Sequence, residues 1–298
     1  MTDWSLTLSA PAKINLYLGV HTERDDRGYH KVDSLMAAVG LVDTVTVTPA
    51  QALTVQTIPT SDFPMQKNTA YRAALAMAEH YGREANVCIT IEKRIPLCAG
   101  LGGPSTDAAA VIVALAELWG IDRADSALDN IARGIGADVP FFLHASPAFY
   151  VGGGDVLATE YPALPATPVV LVKPREASVS TIEAYRRFDE TPAPADKPGA
   201  IASALHSGDA EVAYALVHNN LGVISAQMEP RIQTVLDWLR SQNGTVAVNV
   251  CGSGACSFAL CDSAATAVNL AAAAQQNGWW AYATELVSDT VRIEAPKK

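Results

Sequence analysis

Ile95–Trp119 reads IPLCAGLGGPSTDAAAVIVALAELW. Three glycines, Gly100, Gly102 and Gly103, lead through Pro104, Ser105 and Thr106 into a run without a breaker. Glycine reaches backbone conformations that other residues resist, and it lets a ligand approach the main chain. Proline suits the first helical position, where its missing N–H costs nothing. The stretch therefore predicts a helix from Pro104 or Ser105, ended by Gly120. Val111, Ile112, Val113, Leu115 and Leu118 make it apolar nearly all round, as a buried helix is. A glycine loop feeding a helix N-terminus offers unpaired N–H groups and the positive end of the helix dipole, which favour phosphate. The alternative is a tight turn ahead of a core helix. The chain has no Gly-Lys pair for G-x-x-x-x-G-K-[ST], and Ser105 stands where G-x-G-x-x-G needs its last glycine. The protein-kinase triplets H-R-D and D-F-G are absent.

The chain has 298 residues, enough for one large or two medium domains. Hydrophobic residues make up 49% and charged residues 17%, a globular composition. A net charge of −10 argues against a nucleic-acid binder, which would carry a basic face. No apolar run reaches the roughly 18 residues of a membrane span. The N-terminal stretch lacks an apolar signal core, so the expectation is a cytoplasmic protein. Cys88, Cys98, Cys251, Cys256 and Cys261 read as reduced thiols. The even spacing of the last three lacks a histidine and is no zinc signature.

Residues 4–20 alternate as a strand broken by Pro11. Within it, Lys13 and Asn15 are two apart and share one face, with Ile14 and Leu16 on the other. HTERDDRGYHKVDSL (21–35) reads as a loop or hairpin carrying Tyr29 and His30; a bland account makes Tyr29 a partly buried aromatic and His30 surface polar. Residues 43–57 and 87–92 read as strands. Residues 68–81, with Asn68 as N-cap, and 124–135 read as helices. In GADVP, Asp138 sits in apolar surroundings and needs a partner or a helix-capping role, and Pro140 pushes Val139 toward an extended shape. Further on, 168–174 is a strand and 179–188 a helix carrying Tyr185. Residues 191–198 form an exposed Pro-rich connector. Helices follow near 199–206, 209–219 and 230–242, then strand–turn–strand around Gly252, Ser253 and Gly254. Ser263–Gln276 is a helix capped by Asp262 or Ser263, and Trp280–Val287 is a final strand.

Pro96, Gly100, Leu101, Gly102, Gly103, Ser105, Ala108 and Ala109 fit P-x-x-x-G-L-G-S/G-S-S/A-[small]-A, so the stretch resembles the second motif of the GHMP small-molecule kinases. Pro104 departs from it, since glycine or serine is usual there. P-A-K-I-N-L at 11–16, R-G-Y-H at 27–30, G-A-D-V-P at 136–140 and C-G-S-G-A-C at 251–256 resemble further family motifs, in the expected order. R-G-Y-H resembles the D-G-Y-H of the branch acting on a cytidine diphosphate-linked methylerythritol. The resemblance implies an α+β, two-domain fold. An N-terminal ribosomal-protein-S5-like ATP-binding domain (1–165) would be followed by a C-terminal α/β substrate domain (166–298), with the active site in the cleft between them. It implies phosphorylation of the substrate 2-hydroxyl by ATP with Mg²⁺, in the non-mevalonate isoprenoid pathway.

The resemblance makes Asp138 the acceptor of the hydroxyl proton and Lys13 its partner. As a carboxylate, Asp138 takes the proton only late, as bond formation acidifies the hydroxyl. Asn15 would position the substrate; Tyr29 and His30 would hold the cytosine, with Tyr185 as a second stacking face. Pro96, Leu97, Cys98, Ala99, Gly100, Leu101, Gly102, Gly103, Pro104, Ser105 and Thr106 would bind the nucleotide, with Asn68 at the adenine. Ser105 is the candidate metal ligand, and no carboxylate is assigned. The expected partner is this small-molecule substrate, without nucleic acid or membrane, in a monomer or homodimer. The other readings are a mevalonate- or homoserine-type kinase of the same family, and a nucleotide-binding homologue without catalysis; both Lys13 and Asp138 count against the last.

Overall fold

The structure is a computed structural model and describes residues 4–60 and 63–295, so the first three residues of the N-terminal stretch lie outside it. Two long strands, β1 (Leu6–Arg24) and β2 (His30–Pro49), pair antiparallel from Leu6↔Val47 to Arg24↔His30. Pro11 does not break β1. The register shifts between Pro11 and Ala12, and such a bulge takes up a residue that cannot donate to the ladder.

β3 (Thr54–Ile58) runs parallel to β4 (Val87–Glu92), which pairs with the outer part of β2. α1 (Thr69–Tyr81), α2 (Gly103–Trp119) and α3 (Ser126–Ile135) lie behind this sheet. Asn68 caps α1 by accepting from Ala70 N at 2.9 Å. Val111, Ile112 and Leu115 of α2 are wholly buried with Val45, Ile89 and Met77. At roughly 1.5–3 kcal/mol per buried aliphatic side chain, this packing holds α2 rather than its few polar contacts. α3 begins two residues later than 124, because Asp125 is the cap, accepting from Ala127 N.

Val139 is helical (φ −64, ψ −43), not extended, and starts a 3₁₀ turn at Pro140–Leu143. Phe141 and Phe142 are wholly buried, and that burial overrides the preference of a residue before proline. β5 (Ala148–Val151) pairs with β2, and β6 (Val156–Glu160) with β5.

The second half holds β7 (Pro168–Lys173), α4 (Thr181–Glu190), α5 (Gly199–His206), α6 (Ala210–Ala215), β8 (His218–Asn219), α7 (Asn220–Met228) and α8 (Pro230–Arg240). β9 (Thr245–Val250), β10 (Ser257–Cys261), α9 (Ala264–Gln276), β11 (Trp280–Val287) and β12 (Arg292–Ile293) complete it. The helix expected over 209–219 stops at Ala215. A new helix, α7, starts where Asn219 caps Gly222 N at 2.8 Å. β11 is not the last strand, since β12 returns to β1.

The 191–198 connector is tied down: Tyr17 Oη donates to the Asp196 carbonyl, and Asn220 Nδ2 donates to Ala193 O at 2.9 Å. Strands run in the order β12-β1-β2-β11-β7-β10-β9. β11 pairs with β7 through Trp280–Glu285 and with β2 through Leu286↔Val39 and Val287↔Ala38. One strand thus fixes the two halves side by side, and the walls of the cleft with them. Among the described residues no helix is long and apolar enough to cross a membrane.

Candidate active site

A cleft of about 1050 Å³ opens between the start of α2, the inner part of β1, the β1–β2 hairpin, α4 and the Gly252–Gly254 turn. Gly102 (φ 75) is the N-cap of α2, and Gly103 starts the helix one residue earlier than the sequence suggests. Ser105 and Thr106 N–H both return to the Gly102 carbonyl at 2.9 Å. The amides ahead of them have no intrahelical acceptor and sit at the positive end of the helix dipole.

The loop is locked from two sides. Lys13 N donates to Leu101 O at 3.0 Å, and Ala255 N and Cys256 N donate to Cys98 O and Ala99 O at 3.2 Å. A Cβ on Gly100 (φ 73) would overlap the Cys251 carbonyl oxygen. The glycine turn between β9 and β10 is therefore a clamp on the phosphate-loop candidate, not a simple hairpin end. Asn219 Nδ2 holds that turn through Val250 O (3.0 Å) and Gly252 O (2.8 Å), and Ser225 Oγ holds Ser253 O at 2.8 Å. Ser253 Oγ in turn reaches Thr181 Oγ1 on α4 at 2.8 Å.

Strand alternation puts Lys13 and Asn15 side by side. Lys13 Nζ donates to Asn15 Oδ1 at 2.8 Å and lies 3.4 Å from Asp138 Oδ2. Asn15 Nδ2 donates to Ser34 Oγ at 3.0 Å on the neighbouring strand. Lys13, Asn15 and Ser34 are buried, whereas the Asp138 side chain is 37% exposed. A buried ammonium needs a carboxylate partner, and here the partner is the group that still faces the cleft.

Lys93 at the end of β4 bridges Asp43 and Asp107 at 2.5 and 2.6 Å. Asp43 also accepts from Arg94 N (2.5 Å) and Ile95 N (2.9 Å), the residues entering the loop. This cluster pins both ends of the segment 93–107. Burial, with a contribution from Asp43, pushes the Asp107 carboxyl up to about 7 against the pull of Lys93.

At the hairpin end of the cleft, Tyr29 is 62% exposed with the Arg27 guanidinium 5.2 Å over its ring. His30 is buried rather than on the surface, with its ring 5.1 Å from that of Tyr185. Burial and the nearby Asp138 charge push the Tyr185 hydroxyl up to about 12. Asp155 accepts from Arg27 (2.7 and 2.9 Å) and Arg133 (3.0 Å), which hold its carboxyl below the usual range and brace the 152–155 turn under Tyr29.

Lys13, Asn15, Tyr29, His30, Asp138 and Tyr185 thus share one cleft with Pro96, Cys98–Ser105 and the glycine turn. Asn68, Leu97 and Thr106 are not among its lining residues. The Asn68 carboxamide is used as a cap, Leu97 points outward, and Thr106 is fully buried. Ser34, Thr181, Arg24 and Asp189 are cleft residues that the sequence reading did not single out. Two-residue alternation on β2 could have flagged Ser34, but nothing local marks the others. Cys251 and Cys256 lie buried behind the clamp, and burial pushes the Cys251 thiol well up.

Residues 68–146 match the model of the GHMP kinases N terminal domain, and 201–278 that of the GHMP kinases C terminal domain. The chain is 37% identical over 284 residues to the 4-diphosphocytidyl-2-C-methyl-D-erythritol kinase of Mycolicibacterium gilvum, covering 89% of this chain and 85% of that one. It is 35% identical over 281 residues to the Mycobacterium tuberculosis protein of that name, with 90% and 86% covered. A crystal structure of 4-(cytidine 5'-diphospho)-2C-methyl-D-erythritol kinase is similar with a TM-score of 0.77 at 34% identity, over 94% of this chain and 98% of that one. A homoserine kinase from Cytophaga hutchinsonii shares the fold, with a TM-score of 0.75 at 20% identity over 97% of both chains.

Proposed function

This chain belongs to the GHMP kinases, in the family of the 4-diphosphocytidyl-2-C-methyl-D-erythritol kinases, and on that premise we propose that it phosphorylates the 2-hydroxyl of this cytidyl substrate with ATP. The observation that carries the reading is the Lys13–Asp138 pair, 3.4 Å apart, in one cleft with a glycine loop at a helix N-terminus. Phosphoryl transfer needs positioning and charge stabilisation more than covalent chemistry, and this arrangement supplies both.

In the proposed mechanism the loop amides around Gly100–Ser105 hold the ATP phosphates. Asp138 accepts the substrate hydroxyl proton as the new bond forms. Lys13, fixed by Asn15, orients Asp138 and stabilises negative charge on the transferring group. Asn15, fixed by Ser34, positions the substrate. Tyr29, His30 and Tyr185 hold the cytosine end.

Mg²⁺ bound through nucleotide phosphates needs few protein ligands. Among the described residues no cluster of three His, Cys, Asp or Glu is built to hold an ion by itself. The Ser105 hydroxyl and the Asp138 carboxylate line the cleft and suit an ion carried in with ATP. Such an ion would supply charge neutralisation at the phosphate oxygens.

The proposal keeps the division at 165/166, supported by one matched family segment on each side of it. It also keeps a cytoplasmic location, supported by cysteines that are all free thiols. An ADP-release assay over the cytidyl substrate, mevalonate and homoserine tests the function. Turnover is expected with the first; preference for either of the others, or no turnover at all, would overturn it.

A further inference from the structure

The Gly252–Gly254 turn lies against two parts of the site at once. The Cys251 carbonyl occupies the space a Cβ on Gly100 would need, and a Cβ on Gly252 would stand 3.4 Å from Lys13 Nζ and 3.6 Å from Asn15 Oδ1. With glycines at φ 53 and 86, the turn has little stiffness of its own. Its position must come from what grips it, and the grip comes from α7.

Asn219, at the start of α7, is 5% exposed, and the two ends of its carboxamide do different work. Oδ1 accepts from Gly222 N at 2.8 Å and caps the helix. Nδ2 donates to Val250 O at 3.0 Å and to Gly252 O at 2.8 Å, the carbonyls on either side of Cys251. Serine and aspartate cap a helix as well as asparagine does, but of the three only asparagine also offers an N–H₂ group. A helix cap alone therefore does not account for this side chain. A Cβ on Gly222 would stand 3.1 Å from Val250 Cβ, so glycine there lets α7 approach the end of β9 this closely. Ser225, wholly buried further along α7, holds Ser253 O at 2.8 Å.

The contacts form a closed circuit. The backbone of Asn219 is set against β1 by the parallel pairs Tyr17↔His218 and Leu18↔Asn219. Its Nδ2 passes that position to the turn, the turn to Gly100, and the loop returns to β1 where Lys13 N donates to Leu101 O at 3.0 Å. We infer that Asn219, supported by Ser225, is a positioning residue for nucleotide binding. It acts through the turn on the Gly100–Ser105 loop and on Lys13. Without Nδ2 two carbonyls lose a partner, and Cys251 O is free to withdraw from Gly100. This rests on the reading above in which that loop holds the ATP phosphates.

The test uses Asn219→Ser, which keeps a capping oxygen and loses the donor, and Ser225→Ala, which loses one hydroxyl and no cap. Each is titrated with ATP alone, and KM for ATP and for the cytidyl substrate are measured separately. Asn219→Ser is expected to weaken ATP binding and raise KM for ATP by about 10- to 100-fold, the scale of a displacement of about 1 Å at a reacting group. KM for the cytidyl substrate should stay near wild type, since Tyr29 and His30 lie on the other wall. Ser225→Ala should show the same pattern to a smaller extent, and it decides the matter if Asn219→Ser does not fold. Wild-type ATP affinity in the folded variants would make Asn219 a cap only and overturn the inference. Equal rises in both KM values would show general loosening and also overturn it. A wild type that binds ATP but leaves the cytidyl substrate untouched would overturn the proposed function alone, with the ATP titration of the variants still deciding this inference. A wild type that does not bind ATP would overturn both.

Discussion

Lys13 Nζ stands 3.4 Å from Asp138 Oδ2, with the lysine buried on β1 and the aspartate half open to the cleft. The asymmetry separates the two roles: one group is fixed by the core and the other is left to meet a ligand.

Asp138→Asn should therefore keep the fold, since the side chain is not buried and the amide can still accept from Lys13. Turnover is expected to fall about 10²-fold or more, the scale of removing a general base. Steady-state kinetics beside nucleotide titration checks this. Near-wild-type turnover would take Asp138 out of the mechanism.

Substitution of Gly102 has wider effects than blocked backbone approach. A Cβ there would stand 2.9 Å from Phe142 Cζ and 3.0 Å from Lys13 Cγ, at φ 75. Gly102→Val is thus expected to weaken ATP binding and also to displace Lys13, so both KM for ATP and kcat should suffer. A folded Gly102→Val protein with unchanged nucleotide affinity would mean that the loop is only a turn.

Tyr29 is exposed, and its loss should leave the melting temperature within a degree or two. An aromatic ring stacked on a base contributes roughly 1–3 kcal/mol. Tyr29→Ala is accordingly expected to raise KM for the cytidyl substrate by about 5- to 150-fold, with KM for ATP unchanged. Varying each substrate in turn measures both, and an unmoved cytidyl KM rules out the stacking role.

The buried cluster under the loop predicts a pH effect. In the folded chain the Asp107 carboxyl is raised from 3.8 to about 7 by burial, opposed by Lys93. A raised acid holds its proton in the folded state where the unfolded chain has lost it. Its contribution to stability is present at low pH and is lost as pH rises from about 4 through about 7. The melting temperature of Asp107→Asn, relative to wild type, is expected to rise between pH 5 and pH 8. A difference that stays flat across that interval would contradict the assignment.

Much of this was legible in the chain because the physics was local. Gly100–Gly103, Pro104 and the apolar run after them contain the instructions for α2, and two-residue alternation suffices to put Lys13 beside Asn15. The rest depended on contacts far apart in sequence. Val139 turned helical because Phe141 and Phe142 had a core to enter. α7 was hidden behind Asn219, a cap that also reaches Val250 and Gly252. Lys93 gains its meaning only where Asp43 and Asp107 converge on it. His30 shows the limit of pattern: its position was read, but not that its ring would be buried beside that of Tyr185.

The pairing of β11 with both β7 and β2 sets a timetable for the chain. On the ribosome β2 emerges early, yet its neighbour at Val39 is Leu286, nearly the last element to be made. Until then Ala38 and Val39, between the parts of β2 that pair with β5 and β4, have no strand on that side, the kind of edge that recruits the wrong partner. At about 5–20 residues per second, that exposure lasts roughly ten seconds to a minute. The N-terminal helices can collapse meanwhile, but the cleft cannot close before β11 arrives between β2 and β7. A nascent chain arrested before Trp280 should therefore be protease-sensitive around Ala38 and unable to retain nucleotide, however well its glycine loop is formed.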